Sequence, residues 1–182
     1  MRLTDTILNE VEQVLRLMEE NCIHKAAEIL AGSQRVFVTG EGRSGLMAKS
    51  FAMRLMHLGA SVYVLGETIS PSLKEGDTLA AVSGSGTTKQ TVWTAEKAKE
   101  LNCRVIGVTA NPESPLGRAA SEIIHIPAAT KYRREGEAES IQPLGSLFDQ
   151  CAHILFDAIC LQYANAKKVS HEEAFKQHSN VE

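Results

Sequence analysis

Two glycine- and hydroxyl-rich stretches stand directly after short apolar runs. One is Gly40-Glu41-Gly42-Arg43-Ser44-Gly45, which follows RVFVT; the other is Ser83-Gly84-Ser85-Gly86-Thr87-Thr88, which follows LAAV. Glycine lets the backbone approach a bound group closely, and a helix that begins there offers unpaired N–H groups to an anion. The hydroxyls of Ser83, Ser85, Thr87 and Thr88 add donors without adding charge. That chemistry suits a phosphate monoester. A turn that merely caps a helix explains one such loop about as well, but two of them after separate strands favour anion binding. Residues 40–45 also match G-x-G-x-x-G, and Glu67 follows at about the distance of a ribose-binding acid. A dinucleotide site is therefore the sharpest competitor. It gives the second loop no role, and 182 residues leave little room for a substrate domain.

Loops of this kind need strands and helices to hold them. Short apolar runs at 35–40, 60–66, 77–83, 103–110 and 121–127 read as strands, and helical spacing covers 44–58, 88–101 and 145–166. Strands that are apolar without alternation, separated by helices, make a parallel sheet covered on both faces. The expected fold is α/β, a doubly wound three-layer α/β/α sandwich with a five-stranded parallel sheet. One domain is expected over residues 1–182: N-terminal helices at 3–31, a core at 35–166 and a tail helix at 170–178. Ser114-Pro115 reads as an N-cap with proline at the first helical position.

The formal net charge is −3, which argues against nucleic acid or an anionic membrane as the main partner. No apolar run approaches the roughly 20 residues that span a bilayer, and the acidic, amphipathic start is no signal peptide. Cys22, Cys103, Cys151 and Cys160 show neither C-x-x-C pairing nor a His/Cys metal spacing. They read as small core residues in a reducing compartment, so the cytoplasm is the expected location.

Together, GEGRSG and SGSGTT resemble the sugar isomerase (SIS) domain, a phosphosugar-binding fold. More narrowly, FAMRLMHLG (51–59), LGETISPS (65–72), VSGSGTT (82–88), IQPLGSLFDQ (141–150) and the terminal QHSNVE resemble the 6-phospho-3-hexuloisomerase family. The resemblance implies interconversion of 3-hexulose 6-phosphate and fructose 6-phosphate, in formaldehyde fixation and detoxification by the ribulose monophosphate pathway. It implies a homotetramer of five-stranded domains and no metal or organic cofactor. Carried over, Ser44, Ser83, Ser85 and Thr88 hold the phosphate, while Arg43 and Glu67 line the sugar side. Other readings that keep the same loops are a different aldose–ketose phosphosugar isomerase and a non-catalytic module that senses a sugar phosphate.

Moving a carbonyl between neighbouring carbons takes a base, and a cis-enediol intermediate lets one base serve both carbons. A carboxylate with a pKa raised by burial suits that task. The candidates are Asp149, Glu67 and Glu41. Ser146-x-x-Asp149 also has capping-box spacing, which competes with a catalytic role. In the resembling family this position is commonly glutamate and a proposed base; aspartate is one methylene shorter, and Glu67 is the reserve. His57 reads as a helix residue, His125 lies in the fifth strand, and His153 reads as a solvated partner of Asp149 one turn away. The family's tail histidine reaches a neighbouring subunit's site, so His178 is the candidate acid/base for ring opening. Lys131, Arg133 and Arg134 read as a solvated loop, with a lid over the phosphate as the alternative. Met53, Leu55, Met56 and Leu58 read as helix packing, at the core or a subunit contact.

Overall fold

The interior strands carry no polar–apolar alternation because both of their faces are covered. In the computed structural model, which describes residues 2–181, β1 (Val36–Gly40), β3 (Thr78–Val82) and β4 (Arg104–Thr109) are buried along nearly their whole length. With β2 (Val62–Val64) and β5 (Glu122–His125) at the edges, they form one parallel sheet in the order β2-β1-β3-β4-β5. The chain moves outward from β1 to β2, then returns to the other side of β1 as β3. The switch point therefore falls between β1 and β3, and both glycine-rich loops leave the carboxyl ends of those two strands. Such crevices are where open parallel sheets bind ligands.

Helices α1 (Leu3–Arg16), α2 (Asn21–Ala31), α3 (Gly42–His57) and α6 (Ser146–Lys167) cover one face. Val14, Leu30, Phe51, Leu55, Leu147 and Ile159 pack there on Val36, Val38, Ala80 and Ile106. Phe51 stacks on Phe156 with ring centroids 4.4 Å apart, locking α3 to α6. On the opposite face α4 (Lys89–Glu100) and α5 (Pro115–Ala119) bury Ala95, Ala98 and Leu116 against Phe37, Leu79 and Val105. These are the three layers that uninterrupted apolar strands between helices imply.

The edge strands are shorter than their sequence runs, 60–66 and 121–127, because an edge strand has a neighbour on one side only. α3 starts two residues earlier than its helical spacing suggests, at Gly42, and the tail helix α7 (His171–Lys176) stops two residues earlier. Ser114 does cap α5: its Oγ accepts from the Gly117 N–H at 3.2 Å, with Pro115 at the first helical position. Within the Met53–Leu58 group, Leu55 and Leu58 are core, whereas Met53 and Met56 face outward on α3. Among the described residues, no helix is long and apolar enough to cross a membrane.

Candidate functional site

At the β1–α3 junction, Gly45 packs its Cα onto the end of the strand. A Cβ there would lie 2.4 Å from the Gly40 carbonyl oxygen, so α3 can start against β1 only with glycine at this position. The close approach turns Arg43 and Ser44, in the first turn of α3, toward the amino end of α6. Ser44 Oγ donates to Asp149 Oδ1 at 2.9 Å, and Arg43 Nε donates to Oδ2 at 3.3 Å.

The β3–α4 loop closes on itself through hydroxyls. Ser83 is buried; its Oγ accepts from the Gly86 N–H at 3.1 Å and lies 2.9 Å from Thr88 Oγ1. Ser85 Oγ is 3.5 Å from Ser83 Oγ. Thr88 is the N-cap of α4, yet its side chain caps no backbone N–H. The first-turn N–H groups of α4 thus stay available to an anion, with the helix dipole behind them. Thr87 is exposed, and its N–H and Oγ1 both donate to Ser85 Oγ, at 3.3 and 3.1 Å. It braces the loop from outside the cleft.

Between the two loops and the first turn of α6 lies a cleft of about 280 Å³. Arg43, Ser44, Ser83, Ser85, Thr88 and Asp149 all line it, as does Glu41. Phe148 forms one wall, its ring against Gly84, where a Cβ would come within 3.1 Å of it. Thr130 and Lys131 close another side. Of the basic stretch, Lys131 borders the cleft, Arg134 donates to the Ser85 carbonyl at 3.1 Å while lying over the Tyr132 ring, and Arg133 donates to the Gln142 carbonyl. Lys131 and Arg133 are exposed, as a solvated loop would have them, and Arg134 alone ties the stretch to the β3–α4 loop.

Asp149 is 4% exposed. Burial pushes its carboxyl above the ordinary aspartate range, while the Ser44 and Arg43 hydrogen bonds and the Arg43 charge pull it partly back. The structure corrects the capping-box reading. The N-cap of α6 is Gly145, with no side-chain cap, and the Asp149 carboxylate points away from the helix end to α3. His153 pairs with Asp157 at 3.9 Å, both exposed, instead of with Asp149.

Two other candidates sit outside the lining of this cleft. Glu67 accepts from Lys49 Nζ of α3 at 2.9 Å. His178 stacks on His57, with ring centroids 5.4 Å apart, where α7 lies against α3. Sequence reasoning misses Thr130 and Phe148 as site residues. Thr130 follows the last strand in a segment without periodicity, and Phe148 looks like one more apolar position of a buried helix. Among the described residues, no group of three or more His, Cys, Asp or Glu side chains is placed to hold a metal ion.

Comparison with known proteins finds the SIS domain over residues 29–154. The chain is 42% identical over 176 residues to the 3-hexulose-6-phosphate isomerase of Bacillus subtilis (strain 168), covering 97% of this chain and 95% of that one. It is 38% identical to the 3-hexulose-6-phosphate isomerase of Mycobacterium gastri, covering 97% and 88%. A solved structure from Methanococcus jannaschii, from which a 3-hexulose-6-phosphate isomerase function was inferred, superposes with a TM-score of 0.85 at 27% identity, over 98% of both chains.

Proposed function

The chain belongs to the SIS-domain family, and on that premise we propose that it interconverts D-arabino-3-hexulose 6-phosphate and fructose 6-phosphate through a cis-enediol. Near-full-length identity to 3-hexulose-6-phosphate isomerases makes it a phosphosugar isomerase. The observation that carries the finer reading is Asp149, a buried carboxylate facing a cleft whose far side is the hydroxyl-lined SGSG loop.

In this reading the phosphate docks on Ser83, Ser85 and Thr88 and on the first-turn N–H groups of α4, with the Lys131 ammonium at the rim. Asp149 takes the C3 proton of open-chain fructose 6-phosphate, or the C2 proton of the 3-ketose, and returns it to the neighbouring carbon. Both positions lie on one face of a cis-enediol, so one carboxylate serves both directions. The Arg43 guanidinium, beside that carboxylate, stabilises the negative charge that develops on the enediolate oxygens. Asp149 takes the base role ahead of Glu67, which is engaged by Lys49 outside the cleft.

We assign the assembly as a homotetramer in which His178 of one subunit assists ring opening in the cleft of another. The outward Leu46, Met53 and Met56 on α3, at 60%, 52% and 39% exposure, suit a subunit contact next to that tail. The physiological setting that accompanies this activity is formaldehyde fixation or detoxification by the ribulose monophosphate pathway, in the cytoplasm.

The test is incubation of the protein with fructose 6-phosphate in D₂O, followed by NMR. Loss of the C3 proton, with a new 3-ketose appearing, supports the proposal. Exchange at C1 would identify an aldose–ketose isomerase, and binding without exchange would identify a sensor.

Acidity gives a second expectation. The carboxylate is the working base, so kcat/KM rises with pH through the Asp149 pKa, which burial holds above the ordinary range. Ser44 favours the ionised form, so Ser44→Ala should move the acid limb to higher pH. The substrate phosphate also titrates, near pH ~6, but identically for both proteins. The shift in the acid limb between the two profiles is the readout for Asp149, which Ser44 touches directly.

A further inference from the structure

We propose that Glu10, on the N-terminal helix α1, is a positioning residue for this reaction, holding the segment that delivers Asp149 to the cleft. The inference rests on the isomerase reading above. Glu10 Oε2 accepts from Ser140 Oγ at 2.7 Å and from Gln142 Nε2 at 3.0 Å, and Oε1 accepts from the Ile141 N–H at 2.8 Å. One carboxylate thus gathers three donors from three consecutive residues about 130 positions away. Partial burial pushes the carboxyl up, but the three donors together outweigh it and keep its pKa below the ordinary glutamate range.

The residues next along the chain belong to the site itself. Leu144, in the left-handed region at φ 53°, and Gly145, the N-cap of α6, border the cleft and lead directly to Phe148 and Asp149. No side chain caps α6, so its start is set by the segment that enters it. The hold extends in two directions. Gln142 Oε1 accepts from Gln150 Nε2 at 2.8 Å, next to Asp149 on α6, and the Gln142 carbonyl accepts from Arg133, two residues from Lys131. Glu10 therefore sits at the root of a network joining the Lys131 stretch, the 140–145 segment and the first turn of α6.

The ion pairs at α1, Arg2 with Asp5 and Glu12 with Arg16, are by contrast local and exposed. The helix is fastened to the core by Val11 and Val14. Glu10 adds nothing to that apolar seam, and its contacts go to the site segment instead. α1 also lies before residue 29, where the family match begins, so this contact comes from outside the matched domain.

The experiment compares Glu10→Ala, Glu10→Gln and Val14→Ala with the wild type. It reads kcat, KM, thermal midpoint and amide exchange at Ile141. Misplacing a reacting group by about 1 Å can cost 10²-fold, so Glu10→Ala should lose about 10-fold or more in kcat, with a smaller change in KM. Glu10 reaches the β3–α4 loop only indirectly, through Gln142, Arg133 and its neighbour Arg134, so KM should shift less than kcat. Ile141 should lose amide protection. Glu10→Gln keeps one acceptor oxygen and should recover part of kcat. Val14→Ala removes buried methyl groups and should lower the thermal midpoint at least as much while kcat stays near wild type. If Val14→Ala and Glu10→Ala lower kcat alike, or if Glu10→Ala leaves it unchanged, the positioning role is overturned. A wild type without isomerase activity would instead overturn the functional reading on which the inference rests.

Discussion

Asp149→Asn is expected to lower kcat by about 10²–10⁴-fold, the range that a positioned general base supplies, while fructose 6-phosphate still binds. Asparagine has the same size and keeps an oxygen to accept from Ser44, but it cannot carry the proton between carbons. In the proposed binding mode the phosphate sits on the far side of the cleft, where Ser83, Ser85 and Thr88 line it, away from Asp149. Binding measured by calorimetry should therefore survive, and relief of the Arg43 charge should favour the anionic ligand. Thermal unfolding of the variant separates loss of the base from loss of the fold. The folded-state pKa of Asp149 is raised, so this group's contribution to stability is greatest at low pH and declines as pH rises through the folded pKa. At neutral pH its ionisation opposes folding, and the neutral amide removes that cost. Asp149→Glu keeps a carboxylate, one methylene longer, and should recover part of the rate. If Asp149→Asn retains more than about a tenth of wild-type kcat, a loss well short of what removing a base should cause, the base lies elsewhere, with Glu41 and Glu67 next in line.

The ambiguity of Asp149 in the sequence is instructive about the rest. Ser146-x-x-Asp149 supports capping or catalysis equally, because both readings use the same local spacing. Only Ser44 and Arg43, 105 and 106 positions away, separate them. The loops and the parallel sheet are readable because their signals are local: glycines and hydroxyls follow apolar runs that need no distant partner to be recognised. Glu10 carries no signal in the sequence, because the 140–142 segment that it holds is about 130 positions away. Arg134 looks solvated among glutamates for the same reason, since the Ser85 carbonyl that it finds is 49 residues away, whereas Lys131 is exposed as that reading expects. The sequence overstates the edge strands β2 and β5 because apolar composition continues past the point where hydrogen-bonded neighbours end. In each case the missing information is a long-range partner, not a residue type.

The same distinction bears on why the chain leaves β3 through Ser-Gly-Ser-Gly, and Gly86→Ala tests it. Gly86 has φ 65°, a conformation that costs an ordinary residue about 1–2 kcal/mol. A Cβ there would also lie 1.9 Å from Ser114 Oγ and 2.4 Å from Ser114 Cβ. Ser114 is 2% exposed and caps α5, so it cannot yield without giving up a cap worth about 1 kcal/mol. The turn is tied down further: the Gly86 N–H donates to Ser83 Oγ, and its carbonyl accepts from the Leu116 N–H at 3.0 Å. Gly86→Ala should therefore destabilise by about 3 kcal/mol or more and displace Ser83 and Ser85, weakening fructose 6-phosphate binding about 10-fold or more. Gly42→Ala is the control, since Gly42 has φ 58° but nothing within 4 Å of the added carbon, so it bears the backbone strain alone. Ser114→Gly placed in the Gly86→Ala background removes the overlapping atoms and should recover about 1 kcal/mol or more, a non-additivity expected of residues in contact. Chemical denaturation of these proteins, with the Ser114→Gly single variant as the fifth, reads all of these differences. If Gly86→Ala proves no more costly than Gly42→Ala, the loop is held by its hydroxyls and not by its fit against α5. A larger cost, relieved by Ser114→Gly, means that the second glycine is there to seat the β3–α4 loop on the helix behind it.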